Sequence, residues 1–267
     1  MSGLSLYWRY LAASLRGQMQ YPGSFLTLLL SQAIACAAEF AAIWALFLHF
    51  GQIRGWTFAE VAVFYGVINM SFSIAEVTAR GFDIFGGQFV KTGNFDRLLL
   101  RPRSTPLQLL GHECRLTRFD RFLQGVVIFA VAARFVHLDL NITTITLVFA
   151  TIAGGVALFT GIMILQATLS FWTIESLEVA NTLTYGGVEA SQYPIDIYVR
   201  WFRNFLIFVV PLACVGYFPI VRILGHADSL GAPAWACAAS PLMGFLFLAV
   251  ALRVWRIGER HYTSTGS

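Results

Sequence analysis

The sequence is short of charge. Asp, Glu, Lys and Arg make up 12% of its 267 residues, about half the share a soluble domain carries, so a water-facing surface cannot be furnished from it. It is short of cysteine too. Cys36, Cys114, Cys214 and Cys237 show no CxxC pair and no Cys/His metal spacing, and they read as small apolar residues, not disulfides or ligands. The histidines, His49, His112, His137, His226 and His261, are scattered without HxxxH or HExxH spacing. There is no GxSxG, and Glu175 and Glu178 read as the solvated face of a helix end. No catalytic set converges, so the chain is not read as an enzyme. A phosphate-cradling loop is also missing. The nearest approach is Gly86-Gly87-Gln88-Phe89-Val90-Lys91-Thr92, but a Walker A loop needs Gly directly before the Lys and another five residues earlier. Val90 and Phe85 stand at those positions. The chain is expected to hold no cofactor and no metal, and nucleotide chemistry has to come from another polypeptide.

What the sequence has in quantity is apolar length. Hydrophobic residues reach 57% and the mean hydropathy is +0.69. A membrane helix needs about 20 such residues. Six runs qualify or nearly do: Phe25–Phe50, Phe58–Thr78, Phe122–Leu138, Leu147–Trp172, Asn204–Leu224 and Ala234–Leu252. The third is short, and Pro211 and Pro219 interrupt the fifth. Backbone breaks at membrane depth survive only where protein or a wet cavity covers them, so the last part of the fifth run has as its alternative a short outer-face or re-entrant piece. The fold class is an all-α integral membrane protein of six spans. It forms one domain over residues 1–267: an interfacial helix (1–22), a six-helix bundle (25–252) and a tail (253–267). The interfacial helix is expected because Leu4, Trp8, Leu11 and Leu15 share one face at 100° per residue, with Arg9 and Arg16 turned away.

Orientation is read from the basic residues. With both termini cytoplasmic, 15 of the 18 Lys and Arg fall in inner segments, eight of them in residues 79–121, and only Arg54, Arg134 and Arg222 fall outside. Residues 173–203 read as a second long inner loop.

Two places carry polar groups that function could use. Glu39 lies near the middle of the first run, with Gln32 two turns earlier, and Tyr65, Asn69, Ser73 and Glu76 make a polar stripe on the second. A charge at the bilayer centre costs roughly 2.5–3.5 kcal/mol on insertion scales, so Glu39 must face protein or water. Stripes on adjacent helices line a substrate pathway or form a hydrogen-bonded structural seam, and both readings stand. In the first inner loop, Phe82, Phe85 and Phe89 recur at i, i+3 and i+7 beside Asp83, Gln88 and Lys91. This is the pattern of a short amphipathic helix, able to dock in a partner's groove or lie on lipid headgroups.

The layout resembles the permease subunit of type-2 ABC exporters, within the branch that includes viologen and daunorubicin-type drug exporters. The resemblance rests on Phe95-Asp96-Arg97-Leu98-Leu99-Leu100-Arg101-Pro102, Tyr193-Pro194-Ile195-Asp196, and Pro211 with Tyr217-Phe218-Pro219. It implies a half-transporter in the cytoplasmic membrane. Two permease chains, identical or homologous, would stand on two ABC ATPase subunits that bind ATP and Mg²⁺, with membrane lipid around them and no nucleic acid. The segment around Gly81–Leu100 would be the cytoplasmic coupling helix, with Phe82, Asp83, Phe85, Phe89, Phe95, Asp96, Arg97 and Arg101 as its candidate contacts. Glu39 also admits a rival, a proton-coupled carrier. A non-transporting membrane anchor is a second rival.

Overall fold

The computed structural model describes residues 22–112, 119–139, 141–173, 177–226 and 228–263. The expected interfacial helix of residues 1–22 lies almost wholly outside them. The described residues are helical, with no strand among them and a single isolated bridge between Ile53 and Trp56.

The long elements are α1 (Pro22–Phe50), α2 (Phe58–Thr78), α6 (Phe119–Phe135), α7 (Ile142–Leu169), α8 (Leu177–Ser191) and α13 (Leu242–Arg260). Between α2 and α6 lie α3 (Arg80–Asp83), a π turn (Gly86–Val90), α4 (Asn94–Leu99) and α5 (Thr105–Leu110). Between α8 and α13 lie α9 (Arg200–Asn204), a second π turn (Phe205–Val209), α10 (Leu212–Val215), α11 (Tyr217–Ile223) and α12 (Ala234–Ala239). Among the described residues three helices, α1, α2 and α7, are long and apolar enough to cross a membrane, and a fourth is counted if the bent pair Arg200–Val209 and Leu212–Ile223 is taken as one span. The expected third and sixth spans form helices, but α6 has 17 residues and the last two turns of α13 carry Arg253, Arg256, Glu259 and Arg260.

α2 is the central post. Its start is fixed by a capping box: Thr57 Oγ1 accepts the Glu60 N–H at 3.4 Å, and Glu60 Oε2 accepts the Thr57 N–H at 2.8 Å. Nearly all of its face is covered by neighbouring helices. Small residues permit the closeness. A Cβ on Gly66 of α2 would stand 2.9 Å from the Gly125 carbonyl of α6, and one on Gly244 of α13 would stand 2.0 Å from the Gly154 carbonyl of α7. Backbones approach this way where small residues replace knobs. α1 is the opposite case. Among its described side chains only Cys36, Ile43 and Phe47 are buried, while Leu26, Leu28, Leu30, Ile34, Trp44 and Leu48 face outward.

The bundle has two distinct ends. At the Phe58 end of α2, Trp56 donates its indole N–H to the Asp196 carboxylate at 3.1 Å, Arg54 donates to the Asp196 carbonyl at 2.9 Å, and His226 meets Glu60 at 2.6 Å. Tyr217 packs on Trp56 and Phe64. The Thr78 end gathers Phe82 to Leu110, Phe171 and Trp255 to Tyr262.

These contacts correct two expectations. The fifth run, 204–224, does not pass from one end to the other. Its flanks, Asp196 and His226, both sit at the Phe58 end, and the helices around its break meet at 73°. The re-entrant alternative, raised for the last part of this run only, extends to the whole of it. Pro211 supplies no N–H to continue a helix, and Val210 before it is extended, at φ −119° and ψ 97°. Residues 173–203 are therefore not one loop at the Thr78 end. Within them α8 climbs from beside the foot of α7, where Thr184 donates to Gln166 at 2.9 Å, to Asp196 at the other end.

Candidate functional site: a buried polar seam and an aromatic block

The polar stripe on α2 is interior. Tyr65, Asn69, Ser73 and Glu76 are each at most 1% exposed. Asn69 Nδ2 donates to the Tyr65 carbonyl at 2.8 Å, one turn back, and Tyr185 of α8 donates to Glu76 Oε1 at 3.5 Å. Glu39 meets this seam through Arg121. The guanidinium Nη2 lies 3.2 and 3.3 Å from the two Glu39 carboxylate oxygens, with the Arg121 side chain 9% exposed and Glu39 37%. The same guanidinium sits 5.9 Å over the Phe72 ring and feels Glu76 electrostatically. One turn along α6, Gln124 Nε2 donates to the Cys36 carbonyl at 2.9 Å. Two polar clamps thus hold α1 to α6. Around them the Tyr65 hydroxyl and Asn69 Oδ1 are buried without a hydrogen-bond partner.

Above the seam α8 contributes Glu189, which senses both Glu39 and Arg121. Beyond its end, burial raises the Tyr198 phenol well above its ordinary range, and neighbouring Tyr193 and Glu189 add to this. Neutral Tyr198 donates its O–H to the Ala190 carbonyl at 3.0 Å. Of the candidate pathway residues, then, Glu39, Tyr65, Asn69, Ser73 and Glu76 belong to one connected region. The side chain of Gln32 lies outside the described residues. Sequence reasoning missed Arg121, Gln124, Tyr185 and Glu189. The signal for the first two was present: an acid in a membrane run requires a partner, and Arg121 and Gln124 stand at the start of the third apolar run.

The second region lies at the Thr78 end. Phe82, Phe85, Phe89 and Phe95 are at most 5% exposed. They pack into an aromatic block with Phe171, Trp255 and Tyr262, at ring separations such as 5.0 Å for Phe85–Trp255 and 4.9 Å for Phe95–Tyr262. Trp255 Nε1 donates to Thr105 Oγ1 at 3.1 Å, which in turn donates to Glu259 at 3.0 Å. The single amphipathic helix expected here is instead α3, a π turn and α4, separated at Gly93 by a left-handed φ of +68°. Its rings point into the protein and cannot themselves fill a partner's groove. The solvent-facing edge is a different set: Gln88, Lys91, Arg97, Leu99, Leu100 and Arg101, with Leu100 85% exposed. Asp83 is held by an ion pair to Arg80, and Asp96 is half-buried.

Compared with known families, residues 33–266 match the ABC-2 family transporter protein model. The chain belongs to the ABC-2 transporter family. The match is to the family as a whole and leaves the drug-exporter branch open. No curated protein and no solved structure matches. ABC-2 transporter chains are membrane permeases, generally non-catalytic, that associate with ABC ATPase subunits. The aromatic block packs the segment that follows α2 against the feet of α7 and α13.

Proposed function

We propose that the chain is the permease subunit of an ATP-driven exporter of the cytoplasmic membrane, moving an amphipathic, drug-like or lipid-like compound by alternating access. Two permease chains, identical or homologous, stand on two ATPase subunits, which supply ATP and Mg²⁺. The backbone crosses the bilayer six times, through α1, α2, α6, α7, α8 and α12–α13. Residues 200–223 form a re-entrant hairpin on the outer side, and both termini are cytoplasmic. This moves Arg200 and Arg203 to the outer side and still leaves 13 of the 18 basic residues inside, in keeping with the positive-inside rule.

The observation that carries the reading is the pairing of a family match over 33–266 with an exposed basic and leucine-tipped edge fixed to a rigid aromatic block. An edge of that kind is what an ATPase subunit needs to grip. The proton-carrier rival is weakened because Glu39 is tied to Arg121; a proton-loading carboxylate has to be released from such a partner in each cycle. The pathway reading of Glu39 and the α2 stripe is kept in a modified form. In one chain the stripe is covered, and it would open only as α1 and α8 move apart. Purification from native membranes tests the proposal. An ABC ATPase should co-purify with the chain, and the chain freed of it should hydrolyse no ATP. Recovery without any ATPase, with transport persisting after ATP depletion while a proton gradient remains, would transfer the function to the carrier reading.

A further inference from the structure

Beside α8, on the side away from the polar seam, the helices leave a cleft of about 520 Å³. Its walls are α7 from Ile162 to Leu169 with Trp172 in the turn after it, Gly186 and Gly187 of α8, Phe247 and Val254 of α13, and the hairpin from Phe202 to Leu212. The lining is apolar almost throughout. Of the two polar side chains on it, Gln166 is engaged by Thr184 and Thr168 donates to the Ile164 carbonyl at 2.6 Å. Water needs two to four polar partners to settle in a site, and these walls do not offer them. An empty cleft of this size would forfeit dispersion contacts along all its walls.

The shape and the opening select an occupant. From Ile162 to Leu169 is about 10 Å of helix at 1.5 Å per residue, and the tight turn from Ser170 to Trp172, with its i→i−3 bonds, brings the wall to roughly 15 Å. That is half of a hydrocarbon core about 30 Å thick, the depth of one leaflet. The lower rim, Leu169 and Trp172, is about half exposed, and a Trp at a helix end is the usual marker of the headgroup level. The upper end is closed by the hairpin, where a π turn and Pro211 break the helix. π turns of this sort gather at functional sites. Gly186 faces the space with nothing within 4 Å of where a Cβ would stand, whereas Gly187 already meets Leu212 at 3.2 Å.

We propose that this cleft binds one acyl chain of a bilayer phospholipid, entering sideways from the leaflet on the Trp172 side, with its tail beneath the hairpin. Gly186 is the residue that keeps the space open. The inference rests on the membrane placement alone and does not depend on the ATP-driven reading.

The test uses the purified chain in vesicles of phosphatidylethanolamine and phosphatidylglycerol, with a trace of phosphatidylglycerol bearing a mid-chain diazirine. After irradiation, adducts are mapped by peptide mass spectrometry. They should concentrate on Leu165, Leu169, Phe205 and Leu206. Gly186→Trp and Val254→Trp, which fill the cleft from opposite walls, should each lower that labelling by about tenfold, equivalent to about 1.4 kcal/mol of lost contact. Gly186→Ala should leave it as in the wild type. Adducts spread over α1 and α6 in proportion to their exposure would overturn the proposal. So would undiminished cleft labelling in a Trp variant that elutes like the wild type. Cleft residues shielded from lipid by a second copy of the chain, and labelled only when the copies are separated, would equally overturn it. Should both Trp variants fail to fold, the wild-type map alone decides, because enrichment in the cleft or its absence is read directly from it.

Discussion

Arg121 has two neighbours of opposite sign, Glu39 within salt-bridge distance and Glu76 further off, and an aromatic face beneath it. Removing one partner of a buried ion pair strands the other, at a cost of roughly 3–5 kcal/mol when burial is complete. Glu39 is 37% exposed, so screening brings the figure toward the lower end or below. Arg121→Met should therefore lower the unfolding midpoint of the detergent-solubilised protein. Adding Glu39→Gln should recover most of the loss, because the carboxylate that lost its salt bridge is then gone. Equal and additive losses in a double-mutant cycle would mean that the two groups do not interact. This site is half legible in the sequence. The need of Glu39 for a partner is plain from its place in an apolar run. The partner itself is not, because Arg121 sits at the boundary of a basic loop, and only the packing of α1 on α6 brings it inward.

The aromatic block is the element whose role differs most between sequence and structure. A spacing of i, i+3 and i+7 states that one face is covered; it does not state what covers it. Here the cover is Phe171, Trp255 and Tyr262, from distant parts of the chain. Phe85→Ala should accordingly act as a core truncation, costing about 3–5 kcal/mol and reducing the yield of folded protein. Leu100→Asp and Arg97→Glu, on the exposed edge, should leave yield and thermal midpoint unchanged while lowering ATPase recovery in a pull-down. Normal recovery with both edge variants would remove the coupling role from residues 91–101. α8 escapes a reading by apolar runs for a related reason. Glu178, Asn181, Thr184 and Glu189 make it too polar for lipid, but its surroundings at Gln166, Glu76 and Leu212 are protein. Hydropathy passes over a helix such as α8, whose polar side chains are met by protein.

At the scale of the whole molecule, the two ends of the bundle give a direct test of topology. Single cysteines at Val199 and Asp228 should react with an impermeant maleimide in intact cells, while cysteines at Arg97 and Arg260, both exposed at the other end, should react only after the membrane is opened. Reaction at Arg97 from outside would invert the orientation, and protection of Val199 would restore residues 173–203 to the inner face. In the proposed topology the count of six is the same as in the apolar runs only because two differences offset each other: one apolar run is a hairpin, and one polar stretch, α8, is a crossing. The hairpin itself has a consequence for how such a chain can change over generations. A segment that leaves and returns through the same face contributes nothing to the direction of the helices beyond it. Residues 200–223 can be lengthened, exchanged or remade without turning α12 and α13 upside down, a freedom that none of the spans possesses. The part of the permease that roofs its apolar cleft is thus the part most open to being rebuilt.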